Sequence, residues 1–148
     1  MNLSRKSRYG ITALVDLAMY AGGQCVQLNS IAKRNGISVK YLEQIFSSLR
    51  RAGMVRSVKG PQGGYLLAQS PKEVDMASVV KVLEGNYFLE NEENSGKEDE
   101  RGISTAIQKL LIDPVNEQMD RLLQKRTLQD LVDFSLQCNK FQQEMYYI

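Results

Sequence analysis

Apolar residues near the start of the chain recur three and four positions apart, which is the spacing of one face of a helix. The pattern predicts a first helix from Ser4, whose side chain can cap the amino end, to about Tyr20. Gly22 and Gly23 follow and favour a turn that ends this helix. The chain therefore begins with an amphipathic helix whose apolar face needs a core, and that face is formed by Ile11, Leu14, Val15 and Ala18.

Two further helices are predicted on either side of a glycine. Asn29 can cap a short helix over 30–35, which Gly36 ends. Ser38 can cap a longer helix over 39–52. A short helix, a glycine turn and a second helix are typical of a helix-turn-helix. One arc of the longer helix is polar and basic, and it is either an ordinary solvated surface or a face that reads DNA base edges.

A hairpin is predicted directly after the longer helix. Residues 55–58 and 65–67 have the composition of strands, and 59–64 is a loop of glycine and proline. The segment is either a plain hairpin or a basic wing that reaches DNA beside the helix. A nucleotide-phosphate loop fits less well, because neither Gly-Lys-Ser/Thr nor a helix follows the glycines. A winged helix-turn-helix is therefore predicted for this half of the chain.

The second half of the chain divides by composition. Asp75 can cap a helix over 76–84, which completes a predicted DNA-binding domain over 1–85. Residues 86–102 are polar and acidic, and we expect a flexible linker that isolates the next helix from this domain. Residues 103–148 are expected to hold a dimerisation helix, a last helix and a tail. The predicted fold class is mainly α with a small β-wing, a winged helix-turn-helix followed by a long C-terminal dimerisation helix.

The long helix predicted over about 103–125 carries an apolar stripe. Pro114 is expected to kink or reset this helix, and Thr127 can cap a last helix over 128–138. The stripe either folds back onto its own domain or pairs with the same helix of a second chain. A two-fold dimer would match the palindromic sites that major-groove readers bind. The residues predicted at the dimer interface are Ile107, Leu110, Leu111, Val115, Met119 and Leu122.

Charge is distributed unevenly along the chain. The formal net charge is +2, but residues 1–72 carry eleven Lys or Arg and two acidic residues, a net of +9. Residues 73–148 carry eight Lys or Arg and fifteen acidic residues, a net of −7. The basic half suits a polyanion such as DNA, and the acidic half does not. The alternative is that the two halves have ordinary solvated surfaces whose charges differ by chance. A difference in net charge this large makes that alternative the poorer explanation.

Composition argues against several other classes. No run of about eighteen apolar residues would span a membrane, and Asp16 interrupts the apolar stretch that a signal peptide would need, so we expect a cytoplasmic protein. The chain has no histidine and two widely separated cysteines. We therefore expect no metal, no cofactor and no enzymatic activity. Cys25 is either a small buried residue or a redox-sensing thiol.

Three segments of the chain resemble the Rrf2 family of transcriptional regulators. They read LSRKSRYG at 3–10, YLEQIF at 41–46 and VKGPQGGYLL at 58–67. The resemblance extends over nearly the whole chain. It implies a winged-helix homodimer that binds double-stranded DNA, with the long helix as the dimer element.

Two branches of this family differ in what they bind besides DNA. One branch holds an iron–sulfur cluster on three closely spaced cysteines before the dimerisation helix, but no cysteine occurs here between Phe88 and Thr105. The chain resembles more closely the branch of cysteine-metabolism repressors, which end in isoleucine. That resemblance implies a tail, Tyr147 and Ile148, that docks in the enzyme cysteine synthase. The alternative is a tail packed against the protein's own surface.

The predicted function is therefore a homodimeric repressor of cysteine or sulfur metabolism genes, and a redox or iron–sulfur regulon is the alternative within the same family. The residues expected to face base edges in the major groove are Ser38, Lys40, Tyr41, Glu43 and Gln44. The predicted wing contacts are Arg56, Ser57, Lys59, Gly60 and Pro61. The side chains expected to engage mainly phosphates are Arg5, Lys6, Arg8, Arg50 and Arg51.

Overall fold

The computed structural model of the chain describes residues 2–93 and 101–146. The elements follow in the order α1 (Arg5–Tyr20), α2 (Leu28–Asn35), α3 (Val39–Arg51), β1 (Val55–Val58), β2 (Gly64–Leu67), α4 (Met76–Glu84), α5 (Ile103–Ile107), α6 (Asp113–Lys125) and α7 (Leu128–Tyr146). A 3-10 turn, Pro71–Glu73, precedes α4, and a π-helical segment, Gln108–Ile112, joins α5 to α6. The predicted fold class, mainly helical with a small two-stranded wing, is confirmed.

Side-chain caps fix the starts of three N-terminal helices as predicted. The Ser4 hydroxyl accepts a hydrogen bond from the Ser7 amide at 3.2 Å, and the Ser38 hydroxyl accepts from the Tyr41 amide at 3.1 Å. Asp75 accepts from the Ser78 amide at 2.8 Å. Each cap satisfies one of the amide groups that the first turn of a helix leaves without a partner.

The predicted start of α2 is wrong. The helix begins at Leu28, two residues earlier, so Asn29 lies inside it and Gln27 occupies the cap position without a side-chain hydrogen bond. The reason is tertiary. Val26 is held extended by two backbone hydrogen bonds to Tyr65, of 2.9 and 2.8 Å, and the chain turns into the helix directly after this pairing. A local capping signal cannot reveal a partner that lies 39 residues away in the chain.

The wing is pinned to the body of the domain by that pairing. β1 and β2 run antiparallel, with Val55 opposite Leu67 and Val58 opposite Gly64. Gly64 lies so close to the preceding segment that a Cβ atom there would stand 2.4 Å from the Val26 carbonyl oxygen. A residue without a side chain is therefore required at this point, where two backbones approach closely.

Helix α1 crosses the centre of the N-terminal core. Leu14 and Leu17 are fully buried, as are Ile45, Phe46 and Leu49 of α3. Gly10 allows α4 to approach α1, because a Cβ at this position would lie 2.6 Å from the Leu83 Cδ1 atom. Close packing of these helices sets the position of α3 relative to the amino end of α1.

The C-terminal helices are attached to this core, so the expected isolation of the long helix is wrong for the described residues. The Met76 amide donates to the Arg126 carbonyl and the Leu128 amide donates to the Val74 carbonyl, each at 2.8 Å. The Leu128 side chain is fully buried. The division into 1–85, 86–102 and 103–148 stays a prediction.

The start of the acidic segment also packs against α6. Tyr87 is buried and donates a hydrogen bond to Asp120 at 2.6 Å, and the Leu89 amide donates to Asn116 at 2.7 Å. Burial, and then this hydrogen bond, raise the pKa of Tyr87 to about 12. The composition of the acidic segment does not predict its contact with α6, because the contact depends on a single buried tyrosine among acidic residues.

Pro114 resets the long helix, as expected. It lies in the first turn of α6, where its missing amide is tolerated. The turn before it is a π-helix in which the backbone amide of Asp113 donates to the carbonyl of Gln108. Thr127 begins α7 through two reciprocal hydrogen bonds with Asp130, of 2.9 and 3.1 Å.

The predicted end of α7 near Cys138 is wrong, since the helix continues to Tyr146. No glycine or proline follows Cys138 to stop it. Among the described residues, no helix is both long and apolar enough to cross a membrane.

Candidate DNA-binding surface

Helix α3 separates its buried and exposed residues as the sequence predicts. Leu42, Ile45, Phe46 and Leu49 face the core. The side chains that α3 and its cap expose to solvent are Ser38, Lys40, Glu43, Gln44, Arg50 and Arg51. The helix thus presents a polar, basic surface from its first turn onward, and the first turns are the part of a recognition helix that meets base edges.

A shallow cavity of about 480 Å³ brings the amino end of α1 beside this surface. It is lined by Lys6, Tyr41, Glu43, Gln44, Ile45, Ser47, Ser48 and Arg51. Tyr41 is half-buried and meets the ring of Tyr9 edge to face, with ring centroids 5.6 Å apart. Tyr9 was not among the predicted site residues, although it lies one turn of helix from Arg5 and Lys6.

The basic amino end of α1 is held in place by Glu84 at the end of α4. One oxygen of Glu84, Oε1, accepts from the Ser4 amide and from the Ser7 hydroxyl, each at 2.6 Å. Hydrogen bonds from Ser4 and then Ser7 hold the pKa of the Glu84 carboxyl below its usual value. Sequence reasoning missed this contact, since about 80 residues separate its partners and no local motif links them.

A second anchor joins α1 to α2. Asp16 is buried, and its two oxygens accept from the Arg34 guanidinium at 2.9 and 2.6 Å. Asn35 donates to the same carboxylate at 2.9 Å, and the Arg34 guanidinium lies 4.1 Å from the centre of the Tyr20 ring. The hydrogen bonds to Asp16 raise the pKa of Arg34. Because this arginine is committed to a buried carboxylate, it is not available to a phosphate.

The wing projects beside α3 with its predicted contact residues in solvent. Arg56, Ser57, Lys59, Gly60 and Pro61 are all exposed. Behind the loop, the thiol of Cys25 donates a hydrogen bond to the carbonyl of Gln62 at 2.9 Å, and Cys25 is half-buried. This contact ties the segment before α2 to the tip of the wing. The redox role of Cys25 stays a prediction.

Among the described residues, the cations of this surface form no ion pair. In the part of the chain that the structure describes, no carboxylate lies within ion-pair distance of Lys40, Arg51 or Lys59, nor of the other predicted phosphate and wing cations Arg5, Lys6, Arg8, Arg50 and Arg56. Arg8 donates from Nε to the Leu3 carbonyl at 3.0 Å and keeps its charge. Free cations on one surface are what a polyanion requires.

The predicted dimer residues lie on an apolar stripe of the α5–α6 region, called here the α6 stripe. Leu110, Leu111 and Leu122 are 73%, 60% and 61% exposed, and Val115 is exposed as well. Ile107 and Met119 are half-buried. The predicted tail residues, Tyr147 and Ile148, lie outside the described residues.

A helix-turn-helix with a basic recognition helix, a pinned basic wing and unpaired cations defines a winged helix-turn-helix DNA-binding protein. A model of the Rrf2 family, described as an iron-dependent transcriptional regulator, matches residues 3–134. The chain belongs to the Rrf2 family of transcriptional regulators.

Individual relatives agree with this assignment. The chain is 36% identical to the HTH-type transcriptional regulator IscR of Serratia proteamaculans over 133 residues, which cover 90% of the chain and 80% of that protein. Among solved structures, CymR, the global cysteine regulator of B. subtilis, is 35% identical with a TM-score of 0.74, and the match covers 90% of the chain and 98% of CymR. IscR of T. potens is 34% identical with a TM-score of 0.71, over 91% of the chain and 88% of that structure. These relatives are regulators rather than enzymes.

The residues present do not fit an iron–sulfur cluster held by thiolates. Cys25 contacts the wing and Cys138 lies on α7, and no cysteine occurs between Phe88 and Thr105. Within the described ranges, no group of three or more Cys, His, Asp or Glu side chains is arranged to hold a metal ion. Clusters of this kind need several converging thiolates.

Proposed function

We propose that this protein is a homodimeric repressor that places α3 in the major groove and the wing against the adjacent backbone or minor groove. The observation that carries the proposal is that α3, the wing and the amino end of α1 carry cations that form no ion pair among the described residues, and that Lys6 of α1 lines one cavity with Arg51 of α3. Such a surface supplies the electrostatic part of DNA affinity, and the first turns of α3 supply the base contacts.

The roles divide by position on this surface. We assign the base contacts to Ser38, Lys40, Tyr41, Glu43 and Gln44, because these residues belong to the cap and first turns of α3. Glu43 can accept from cytosine, and near phosphates it also repels the backbone of a badly placed site. The arginines at the end of α3 and the cations of α1 engage phosphates, which fix the orientation of the protein without specifying sequence.

Dimerisation through the α6 stripe supports sequence-specific binding. Exposed leucines on one helix face need an apolar partner, and a second copy offers the same face. Two recognition helices related by a two-fold axis would then meet half-sites about one helical turn, roughly 34–36 Å, apart.

The wing contact is tested by Lys59→Ala, with Lys125→Ala as the matched control, because Lys125 is an exposed cation at the end of α6. Binding to operator DNA is measured over a series of salt concentrations. Lys59→Ala should weaken binding and lower the salt slope by about one unit, whereas the control should change neither. An unchanged slope and affinity for Lys59→Ala would remove the wing tip from the DNA contact.

We assign the regulated genes to cysteine or sulfur metabolism. The likeness to CymR and the cysteine-free stretch before the long helix both support this branch. Deletion of the gene should raise transcripts of cysteine uptake and synthesis. In a pull-down, removal of Ile148 should abolish binding of cysteine synthase and leave DNA binding intact. Enzyme binding that survives the deletion would exclude the tail as the docking element.

A redox or iron–sulfur regulon is the second candidate, and the 36% identity to IscR of Serratia proteamaculans favours it. A brown colour after anaerobic purification would support an iron–sulfur regulon and contradict the absence of suitable thiolates. For a colourless protein, the transcripts that rise after deletion of the gene distinguish the cysteine branch from a redox regulon. If peroxide weakens DNA binding by the wild-type protein but not by Cys25→Ser, the thiol of Cys25 senses a redox signal.

A further inference from the structure

The second half of α7 is exposed to solvent along its described length. Leu128 and Val132 are buried where the helix begins, but all eleven residues from Leu136 to Tyr146 are exposed. This part of the helix is about 16 Å long. Isolated helices of fewer than about 12–15 residues are marginal in water, so an exposed helix of this length is best stabilised by packing of an apolar face.

The exposed apolar residues of α7 follow a coiled-coil spacing. Phe134, Cys138, Phe141 and Met145, called here the α7 seam, are separated by four, three and four residues. Phe134 is 67% exposed, and Phe141 and Met145 are each 62% exposed. An apolar repeat of 3.5 residues keeps one stripe of a helix against a second helix along its length. Binding to a flat surface or to a small ligand does not require this spacing.

The residues that flank the α7 seam indicate what that second helix is. In a coiled coil, the flanking positions choose the partner through charge. Here they are Ser135, Gln137, Gln142 and Glu144, of which three are uncharged. Two identical α7 helices can therefore pair without repulsion between like charges along the seam. A partner helix of opposite charge would find no row of charges on α7 to attract it.

We propose that the α7 seam pairs with the α7 seam of a second copy of this chain. This contact goes beyond the proposed dimer, because it uses a different helix from the α6 stripe. Two copies paired through α7 would cover Phe134, Phe141 and Met145 and bring the two Cys138 side chains close to one another. Cys138 thereby supplies a readout of the contact that needs no inserted probe.

Cross-linking tests the contact in full-length Cys25→Ser protein, which keeps Cys138 as its one cysteine. A bismaleimide of short span should convert the protein to a covalent dimer. The control is Cys25→Ser/Cys138→Ser/Gln143→Cys, which moves the cysteine to the opposite face of α7 and should remain a single chain on a denaturing gel. Equal cross-linking of the two proteins would overturn the proposal.

A second measurement uses Phe141→Glu, with Gln143→Glu as the control of equal charge. Phe141 is 62% exposed and lies outside the set of side chains that pack against the core, so neither change should alter the helical content of the chain in circular dichroism. Phe141→Glu should abolish the Cys138 cross-link and raise the dissociation constant of self-association about tenfold or more, because a buried phenylalanine is lost. Gln143→Glu should do neither.

Two outcomes contradict self-pairing. One is an unchanged dissociation constant together with an unchanged cross-link in Phe141→Glu. The other is a seam that is protected from maleimide only when a second protein, such as cysteine synthase, is present. Because the α6 stripe is intact in all of these variants, a failed test of the α7 seam leaves the proposed α6 dimer unaffected.

Discussion

At the residue scale, polar side chains position the DNA-binding surface through contacts that are far apart in sequence. Ser4 illustrates both what local sequence reveals and what it does not. Its role as a helix cap follows from the residues that come directly after it, and the structure confirms it. Its amide is also bound by Glu84, a contact that no local pattern predicts. Helix caps are readable from sequence because they are local, whereas such anchors depend on the finished packing.

Glu84→Gln should weaken the anchor of α1. Loss of charged hydrogen bonds to Ser4 and Ser7 should lower the free energy of unfolding by about 1–3 kcal/mol and weaken DNA binding through the cations of α1. The pKa of the Glu84 carboxyl is lower in the folded chain than in the unfolded chain. The carboxylate therefore stabilises the fold fully at pH values above its unfolded-state pKa, and this stabilisation is lost as the pH falls through its folded-state pKa. Denaturation at several pH values should therefore show a full difference at neutral pH and a smaller one in acid. A difference independent of pH would contradict this role.

Tyr87→Phe should remove the hydrogen bond to Asp120 and lower the free energy of unfolding by about 1 kcal/mol at neutral pH. The pKa of Tyr87 is raised from 10.0 to about 12 in the folded chain. The neutral phenol therefore stabilises the fold fully at pH values below its unfolded-state pKa, and this stabilisation is lost as the pH rises through its folded-state pKa. In an absorbance titration of tyrosinate, the wild-type chain should show one late-ionising tyrosine that the variant lacks. If the variant instead lost amplitude only in the phase of ordinary tyrosines, Tyr87 would lie in solvent.

At the scale of elements, periodicity and capping predict the helices and the wing well, and the exceptions have physical causes. The start of α2 is set by pairing of Val26 with Tyr65 rather than by a cap. A π-helical turn, Gln108–Ile112, comes shortly before Pro114, and apolar periodicity does not distinguish it from an α-helix. The helix α7 is longer than predicted because neither glycine nor proline follows Cys138 to end it.

Gly64→Ala should separate the wing from the domain. An added methyl group would stand 2.4 Å from the Val26 carbonyl oxygen, a backbone atom that cannot move without breaking the pairing with Tyr65. We expect a loss of about 1–3 kcal/mol in the free energy of unfolding and weaker DNA binding. Chemical denaturation and operator binding measure both effects. Gln62→Ala is the control, since it shortens an exposed wing side chain, and equal effects of the two changes would argue against the close contact.

At the scale of the whole molecule, the uneven charge corresponds to a division of surface. The basic N-terminal half carries the exposed cations of α3 and the wing, whereas the acidic half forms the helices that carry the α6 stripe. The sequence predicted the fold class and the exposed face of α3, because both follow from local periodicity. It did not predict that Tyr87 and Leu128 fasten the two halves together, because single apolar residues carry no periodic signal.

In a Phe141→Glu background, which removes the proposed α7 contact, substitution of Leu111 and Leu122 by Asp should convert the protein to a monomer, because charges would replace exposed leucines on the α6 stripe. The affinity for a palindromic operator should fall about 100-fold or more, since two half-sites would no longer be bound by one assembly. Sedimentation and DNA titration measure the two effects. Leu136→Asp, at a leucine that is 49% exposed and lies outside both apolar stripes, is the control. A double variant that remains dimeric would require another interface.

The pairing of Val26 with Tyr65 has a consequence for regulation. Together with the Cys25 contact to the wing loop and the Asp16 anchor, it links α1, α2 and the wing by direct hydrogen bonds, and we expect them to move as one unit. In the proposed dimer, a signal would then act by altering the separation and tilt of two unchanging heads. Each state of the regulator would correspond to a preferred number of base pairs between half-sites, so operators of graded spacer length would measure its conformational equilibrium directly.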